Sequence, residues 1–437
     1  MNVTGQQSAR SGRVLDGVTP YHWMVVIIAS LGWLFDCMDQ RLFVLARQPA
    51  VTDLLGDGAV PGAAATFGGY ATTSMILGWA TGGIIFGMLS DRIGRVKTMT
   101  LTLLVYSGFT GLSGFAQTWV DFTIYRFLAG IGIGGMFGAA TTLVAESVPS
   151  QFRAVALGAL QALSATGNIM GSLVSFYIPP GGETWGLPGW RILFFIGIVP
   201  SLLAVPIVFL LKEPQAWLAA RAAAAHAPKS STGSLGQLFG HPRWRKNAIV
   251  GLMLGVSGMV GLWGIGFFSP ELISTALQGE APATVDRVRA LGTALQDVGA
   301  FAGMITFTFV AAFLSRRVAF LGALIIAMAA TMFVFGNLES ASDAYWMLPI
   351  MGFAQMSVFA GYSIYFPELF PTRLRGTGVG FCYNTVRYLA APAPILLGYL
   401  ASAFSFRTAA VGMSVIYLVG MVALIWAPET KGKELPE

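Results

Sequence analysis

Charge is scarce in this 437-residue chain: Asp, Glu, Lys and Arg together make up 11% of it, less than half the roughly 25% of an ordinary soluble domain. So few polar residues cannot cover a water-soluble globule of this size. A soluble enzyme, a secreted scaffold and a disordered chain are thereby excluded. Cysteine is nearly absent, and Cys37 and Cys382 both stand in apolar runs, so neither a disulfide framework nor a thiolate metal site is expected. None of the three histidines, His22, His226 and His241, falls inside an apolar span, which argues against a histidine proton relay. No metal cluster, nucleophile triad or phosphate loop is visible, so no cofactor and no enzymatic activity are expected, and no nucleic-acid partner.

What is plentiful is apolar sequence, at 55% of residues and a mean hydropathy of +0.69. A membrane-crossing helix needs roughly 20 apolar residues. Twelve such segments are read, at about 22–45, 66–88, 98–116, 121–146, 154–178, 190–211, 248–272, 290–313, 318–336, 345–366, 378–401 and 408–427. The runs are too long and continuous for barrel strands. The first is too long for a signal-peptide core and is expected to be retained. With the N-terminus inside, eighteen of the 26 Lys and Arg fall in inner segments, including Arg10, Arg13 and Lys229. Only Arg47, Arg287, Arg289 and Arg407 fall in outer loops. That bias puts both termini in the cytoplasm.

The long inner segment 212–247, Ala- and Ser-rich with a short amphipathic helix expected around Trp217, divides the chain. The expected organisation is an N-terminal six-helix bundle (1–211), a linker (212–247) and a C-terminal six-helix bundle (248–437). The halves echo each other: Glu146, Pro149, Arg153 and Gly158 recur as Glu368, Pro371, Arg375 and Gly380. Ser90-Asp91-Arg92 is read as echoed by Ser315-Arg316-Arg317, with Arg316 in place of the acid. Matched halves imply duplication and parallel repeats.

Several motifs then carry a resemblance. The loop after the second span reads Gly87-Met-Leu-Ser-Asp91-Arg92-Ile-Gly94-Arg95-Val-Lys97, and span 4 reads Arg126-Phe-Leu-Ala-Gly130-Ile-Gly132-Ile-Gly134. Further on come Trp190-Arg191, Lys212-Glu213-Pro214, Pro367-Glu368-Leu-Phe-Pro371 and Pro428-Glu429-Thr430-Lys431-Gly432-Lys433. Over its whole length the chain resembles the major facilitator superfamily, in particular the sugar-porter branch and its organic-ion and aromatic-acid relatives. The resemblance implies two pseudo-symmetric bundles that rock about a central site. It also implies gate ion pairs drawn from Asp91, Arg92, Arg95, Glu146 and Arg153 in one half, and from Glu368 and Arg375 in the other.

Charges deep in a span cost at least about 2.5–3.5 kcal/mol on insertion scales, so they are functional candidates. Asp36 and Asp39 share a helix face by their i,i+3 spacing. Counted at 1.5 Å per residue, Asp39 and Arg126 lie at equal depth, roughly 9 Å below the outer surface. A buried Asp39–Arg126 pair is expected, with Asp36 free to take up a proton. The Asp-x-x-Asp pattern also resembles the Asp-Gly-Phe-Asp motif of aromatic-acid/proton symporters, with Cys37-Met38 in place of Gly-Phe. In span 11, Arg387 follows Asn384 on the same face, and a guanidinium grips a carboxylate with two prongs. Asn384, Tyr383, Gln161, Asn168 and Gln355 join Arg387 as substrate-binding candidates. Asp297 is a candidate as well, or else an internal partner of Arg387.

Together these point to a proton-coupled secondary transporter for uptake of a small organic anion. It is expected as a multi-pass monomer in the lipid bilayer of a plasma membrane, a bacterial inner membrane by the family resemblance. A sugar or polyol porter is the alternative, but span 7 lacks the Gln-Gln pair of sugar porters and span 10 their Gly-Pro-x-x-Trp pattern. A drug/proton antiporter is less favoured, because span 5 lacks the Gly-Pro-rich antiporter motif. A non-transporting sensor is a fourth reading.

Overall fold

The computed structural model describes residues 14–56, 63–224, 232–390 and 393–437. Arg10, Arg13, His226 and Lys229 lie outside the described residues. Each apolar segment of the sequence is helical over its described residues. The first half comprises α1 (Pro20–Leu55), α2 (Ala63–Ile93), α3 (Arg95–Ser113), α4 (Trp119–Ser147), α5 (Ser150–Tyr177) and α6 (Gly189–Leu210). A two-residue hairpin, β1 (Glu183–Thr184) with β2 (Leu187–Pro188), joins α5 to α6. Two short helices follow, α7 (Gln215–Ala224), which carries Trp217, and α8 (Leu235–Gly240). The second half comprises α9 (Pro242–Ala276), α10 (Pro282–Phe313), α11 (Arg316–Asn337), α12 (Ala341–Glu368), α13 (Arg375–Ala390), α14 (Ala393–Ala403) and α15 (Phe406–Ala423). Segment 378–401 corresponds to α13 and α14 together.

Among the described residues, nine helices are long and apolar enough to cross a membrane. Of the remaining segments, α3 carries Arg95, Lys97 and four threonines, α5 carries a polar face, and α13–α14 passes through positions outside the described residues. In α9 a π-helical turn, Val260–Ile265, interrupts the α ladder, a local widening that frequently marks functional helices.

Helix pairs approach closely where glycine removes the Cβ. A side chain at Gly130 or Gly134 of α4 would strike the backbone of α2 at Met75 or Trp79. The second half repeats the arrangement, Gly299 and Gly303 of α10 facing the backbone of α12 at Pro349 and Phe353. Small residues are what allow such contacts when no hydrophobic force drives helices together in lipid. The α2–α4 pair of the first half and the α10–α12 pair of the second are thus packed in the same way.

The described N-terminal residues, the linker helices and the C-terminal tail gather at one end, called here the linker end. Tyr21 is bonded to the Lys212 amide (3.0 Å), Trp217 Nε1 donates to the Asp91 carbonyl (2.9 Å), and Arg375 donates to the Pro436 carbonyl (3.0 Å). There α2 turns into α3 through the single residue Gly94 at φ +117°, a conformation that glycine alone adopts cheaply.

The duplication corrects one alignment. Arg95 begins α3, reaches Glu146 with Nε (2.9 Å) and Nη2 (2.8 Å), and donates Nη1 to the Ser90 carbonyl (2.9 Å). Arg316 begins α11, reaches Glu368 with Nε (3.1 Å) and Nη2 (2.8 Å), and donates Nη1 to the Ala311 carbonyl (2.7 Å). Arg316 is therefore the counterpart of Arg95. The position matching Asp91 is Ala312, four residues earlier, and the echo of Ser90-Asp91-Arg92 in Ser315-Arg316-Arg317 is out of register.

Candidate functional site

At the linker end, α13 begins with amides that have no partner within the helix, and such a terminus attracts an anion. Asp91 of the opposite bundle supplies it. Its carboxylate accepts from Gly376 N (2.9 Å), Thr377 N (2.8 Å) and Thr377 Oγ1 (2.7 Å), while Arg95 Nη1 holds it from its own bundle at 3.1 Å. Arg95 also reaches across to the Thr372 carbonyl (2.7 Å), and Arg375 crosses the other way to pair with Glu146. Two guanidiniums and two carboxylates form a charge-balanced cluster, with the side chains of Asp91, Arg95, Glu146 and Arg375 fully buried. Helix packing follows suit, since a Cβ at Gly87 would meet the Gly376 carbonyl oxygen at 2.6 Å. The bundles are closed at this end.

Of the other gate candidates, Arg92 bonds to the linker, while Arg153 and Glu368 make their hydrogen bonds within their own halves. Arg92 donates to the Gly233 carbonyl (3.1 Å), and Arg153 Nε to the Ala145 carbonyl (3.1 Å). Glu368 is taken by Arg316 and by Thr430 Oγ1 (2.6 Å). Sequence reasoning assigned no role to Glu213 and Glu429, which turn out to be twin caps. Glu213 accepts from the amides of Arg95 (2.7 Å) and Val96 (3.1 Å), and Glu429 from those of Arg316 (3.2 Å) and Arg317 (3.3 Å). Burial pushes the Glu429 carboxyl up, but bonds from the Ser315 hydroxyl and the amides of Lys431, Arg317 and Arg316 outweigh it and hold the group at about 2. The placement of both acids just past the last span of each half was the available signal.

Deeper in the molecule, the structure brings Asp39 and Arg126 together at 3.7 Å, both without exposure. Arg126 is anchored by Ser113 Oγ (3.0 Å) and faces the Phe194 ring at 4.8 Å. These contacts come from α1, α3, α4 and α6, so the pair lies inside the first bundle and not between the bundles. The buried hydroxyl of Thr110 on α3 stands beside the Asp39 carboxylate, and Tyr106 and Ser107 of the same helix are buried as well. Asp36, one turn away, accepts from Gln40 Nε2 (3.2 Å) through one oxygen, and the other has no partner.

Arg387 occupies the boundary between bundles. Its Nη1 donates to the Tyr383 carbonyl (2.7 Å) and Asn384 Oδ1 (2.9 Å), and its guanidinium lies 3.7 Å over the Trp79 ring of α2. Tyr383 stacks on Phe137 of α4 at 3.8 Å, with Trp33 of α1 5.1 Å from Phe137. The indole N–H groups of Trp33 and Trp79 are buried and unpartnered. Arg387 is 5% exposed and pairs with no carboxylate among the described residues. Asp297 is not its partner: Asp297 stands 3.9 Å from Arg41 of α1.

The remaining candidates do not all converge here. Gln355 bonds Thr331 Oγ1 (3.0 Å) within the second bundle. Gln161 is buried with its carbonyl oxygen unpartnered, and Asn168 is half-buried. The aromatic residues Trp33, Trp79 and Phe137 were missed, because tryptophan and phenylalanine in an apolar helix read first as lipid contact and packing.

Known proteins place this arrangement. The chain is 31% identical to the cis,cis-muconate transport protein of Acinetobacter baylyi, over 81% of this chain and 83% of that protein. It is 27% identical to a probable 4-methylmuconolactone transporter of Cupriavidus pinatubonensis, over 92% of this chain and 89% of that one. Its fold matches the solved proton:xylose symporter XylE with a TM-score of 0.78 at 20% identity, covering 95% and 98% of the two chains. Residues 29–393 match the Major Facilitator Superfamily, and the chain belongs to that family of membrane transport proteins.

Proposed function

We propose that the protein takes up a small unsaturated or aromatic carboxylate together with protons, by alternating access. The observation that carries this reading is Arg387. It is a buried guanidinium with no carboxylate partner among the described residues, set between the bundles over the ring of Trp79, whose indole N–H is unpartnered. A guanidinium supplies a planar two-pronged grip for a carboxylate, and the rings supply flat apolar surface for a conjugated framework. The two transporters compared above, named for muconate and methylmuconolactone, support the same class of cargo.

Proton coupling falls to Asp36 and Asp39, with Arg126 as the fixed countercharge. Two carboxylates one turn apart in hydrocarbon do not both stay ionised. The Arg126 pair occupies Asp39, which leaves Asp36, closer to Arg387, as the group that exchanges its proton. The bundles are residues 1–211 and 248–437, joined by linker 212–247. The linker end faces the cytoplasm, as the distribution of Lys and Arg indicates, in the inner membrane of a bacterium. The gate cluster of Asp91, Arg95, Glu146 and Arg375 closes that side while cargo enters from the other.

Purified protein in liposomes with an alkaline interior, offered radiolabelled cis,cis-muconate, benzoate, xylose and a cationic drug, tests the reading. Accumulation of a carboxylate is expected, and Arg387→Ala is expected to abolish it. Transport of xylose or the drug alone, or undiminished carboxylate uptake by Arg387→Ala, overturns it.

A further inference from the structure

We propose that Arg41 forms a second, outer anion-binding subsite, held in this conformation by Asp297 of the opposite bundle and yielded to a substrate carboxylate on its way to Arg387. The inference rests on the carboxylate reading above. Counted from the linker end, Arg387 lies about 18 Å along α13 and Arg41 about 32 Å along α1. A carboxylate arriving from the far end therefore meets Arg41 first. Arg387 is 5% exposed, whereas the side chains of Arg41 and Asp297 are each 32% exposed.

The guanidinium of Arg41 is held in place from behind. Its Nε donates to Ser172 Oγ of α5 at 2.8 Å, and its stem lies against Gly171, where a Cβ would come within 2.8 Å of the Arg41 Cβ. That anchoring fixes the head while its Nη2 faces Asp297 Oδ2. The separation of 3.9 Å is an ion pair too long for a hydrogen bond, so Asp297 holds the position loosely. An incoming carboxylate that forms the two-pronged bond is a stronger partner for the same head. Because Arg41 and Asp297 belong to different bundles, the exchange also removes a tie between them at the far end.

The test uses the full-length protein in lipid nanodiscs and the equilibrium binding of cis,cis-muconate. Asp297→Asn is expected to tighten binding about threefold to fivefold, by removing a competitor of surface ion-pair strength. Arg41→Gln is expected to weaken it about tenfold, and the double variant to match Arg41→Gln. Thermal unfolding of each variant confirms that it folds, and Arg41→Lys, which keeps the charge without the fork, is expected to fall between wild type and Arg41→Gln. Wild-type affinity in Arg41→Gln overturns the proposal, as does unchanged or weaker binding in folded Asp297→Asn, or equal tightening by Asp297→Asn in the Arg41→Gln background. Absence of saturable carboxylate binding in the wild type defeats the carboxylate reading itself. Wild-type binding that Arg387→Ala abolishes and Arg41→Gln leaves untouched defeats the outer subsite alone.

Discussion

Replacing Asp91 by Asn is expected to open the linker end. In the closed state its carboxylate accepts three hydrogen bonds from the start of α13, and these exist only while the bundles touch. A hydrogen bond to a charged group contributes about 1.5–3 kcal/mol net. Asparagine keeps one acceptor oxygen but turns an amide toward a backbone N–H that needs an acceptor, and it removes the negative charge from a helix N-terminus. A loss of about 3 kcal/mol follows, which shifts the closed-to-open ratio by about two orders of magnitude. Thr377→Val, which removes one of the three bonds, should shift it by about one. Spin labels at Lys97 and Arg373, both exposed at the linker end on opposite bundles, report the separation by pulsed dipolar spectroscopy once Cys37 and Cys382 are replaced by serine. The expected result is a growing longer-distance population in the order wild type, Thr377→Val, Asp91→Asn. Identical distance distributions in all three would refute the assignment of Asp91 as the closing contact.

Gly87→Val places atoms where the Gly376 carbonyl oxygen and the Gly380 Cα stand, and backbone cannot yield, so the same label pair should show the linker end held apart. Arg316→Ala strands the buried Glu368 carboxylate at a cost of about 3–5 kcal/mol; the thermal midpoint should fall, and Glu368→Gln in that background should recover part of it. The depressed Glu429 carboxyl stabilises the fold fully above the ordinary glutamate range, and the contribution fades as pH falls toward about 2. The gap in thermal midpoint between wild type and Glu429→Gln should accordingly stay level from pH 7 to 5 and close below pH 4. A gap that instead widens on acidification contradicts the sign of that shift.

The spans were legible in the sequence because hydrocarbon imposes both a minimum length and a penalty on charge. The depth of Asp39 and Arg126 was legible for a related reason: a regular 1.5 Å rise converts residue number into height, and the two do stand side by side. Height says nothing about azimuth. That is why the pair's enclosure within one bundle was not visible, and why Asp297 was offered as an alternative partner of Arg387 when Arg41 is its neighbour. The register of the duplicated motif failed because Ser-x-Arg matches too easily. The arginine at the first position of α3 and α11 is the feature that duplication preserved, together with the acid that caps each helix from beyond the final span. The aromatic surroundings of Arg387 were hidden because composition does not distinguish a tryptophan facing lipid from one facing a guanidinium.

The central claim, that a proton and an organic anion cross together through charges buried in the bundles, is tested most directly by proton movement. Liposomes containing the protein and an internal pH-sensitive dye, with no gradient imposed, should acidify when external cis,cis-muconate is added, by more than protein-free liposomes do. Asp36→Asn should abolish that acidification while retaining muconate exchange between loaded liposomes and medium. Acidification equal to wild type in Asp36→Asn, or muconate entry without any proton movement, would contradict the account.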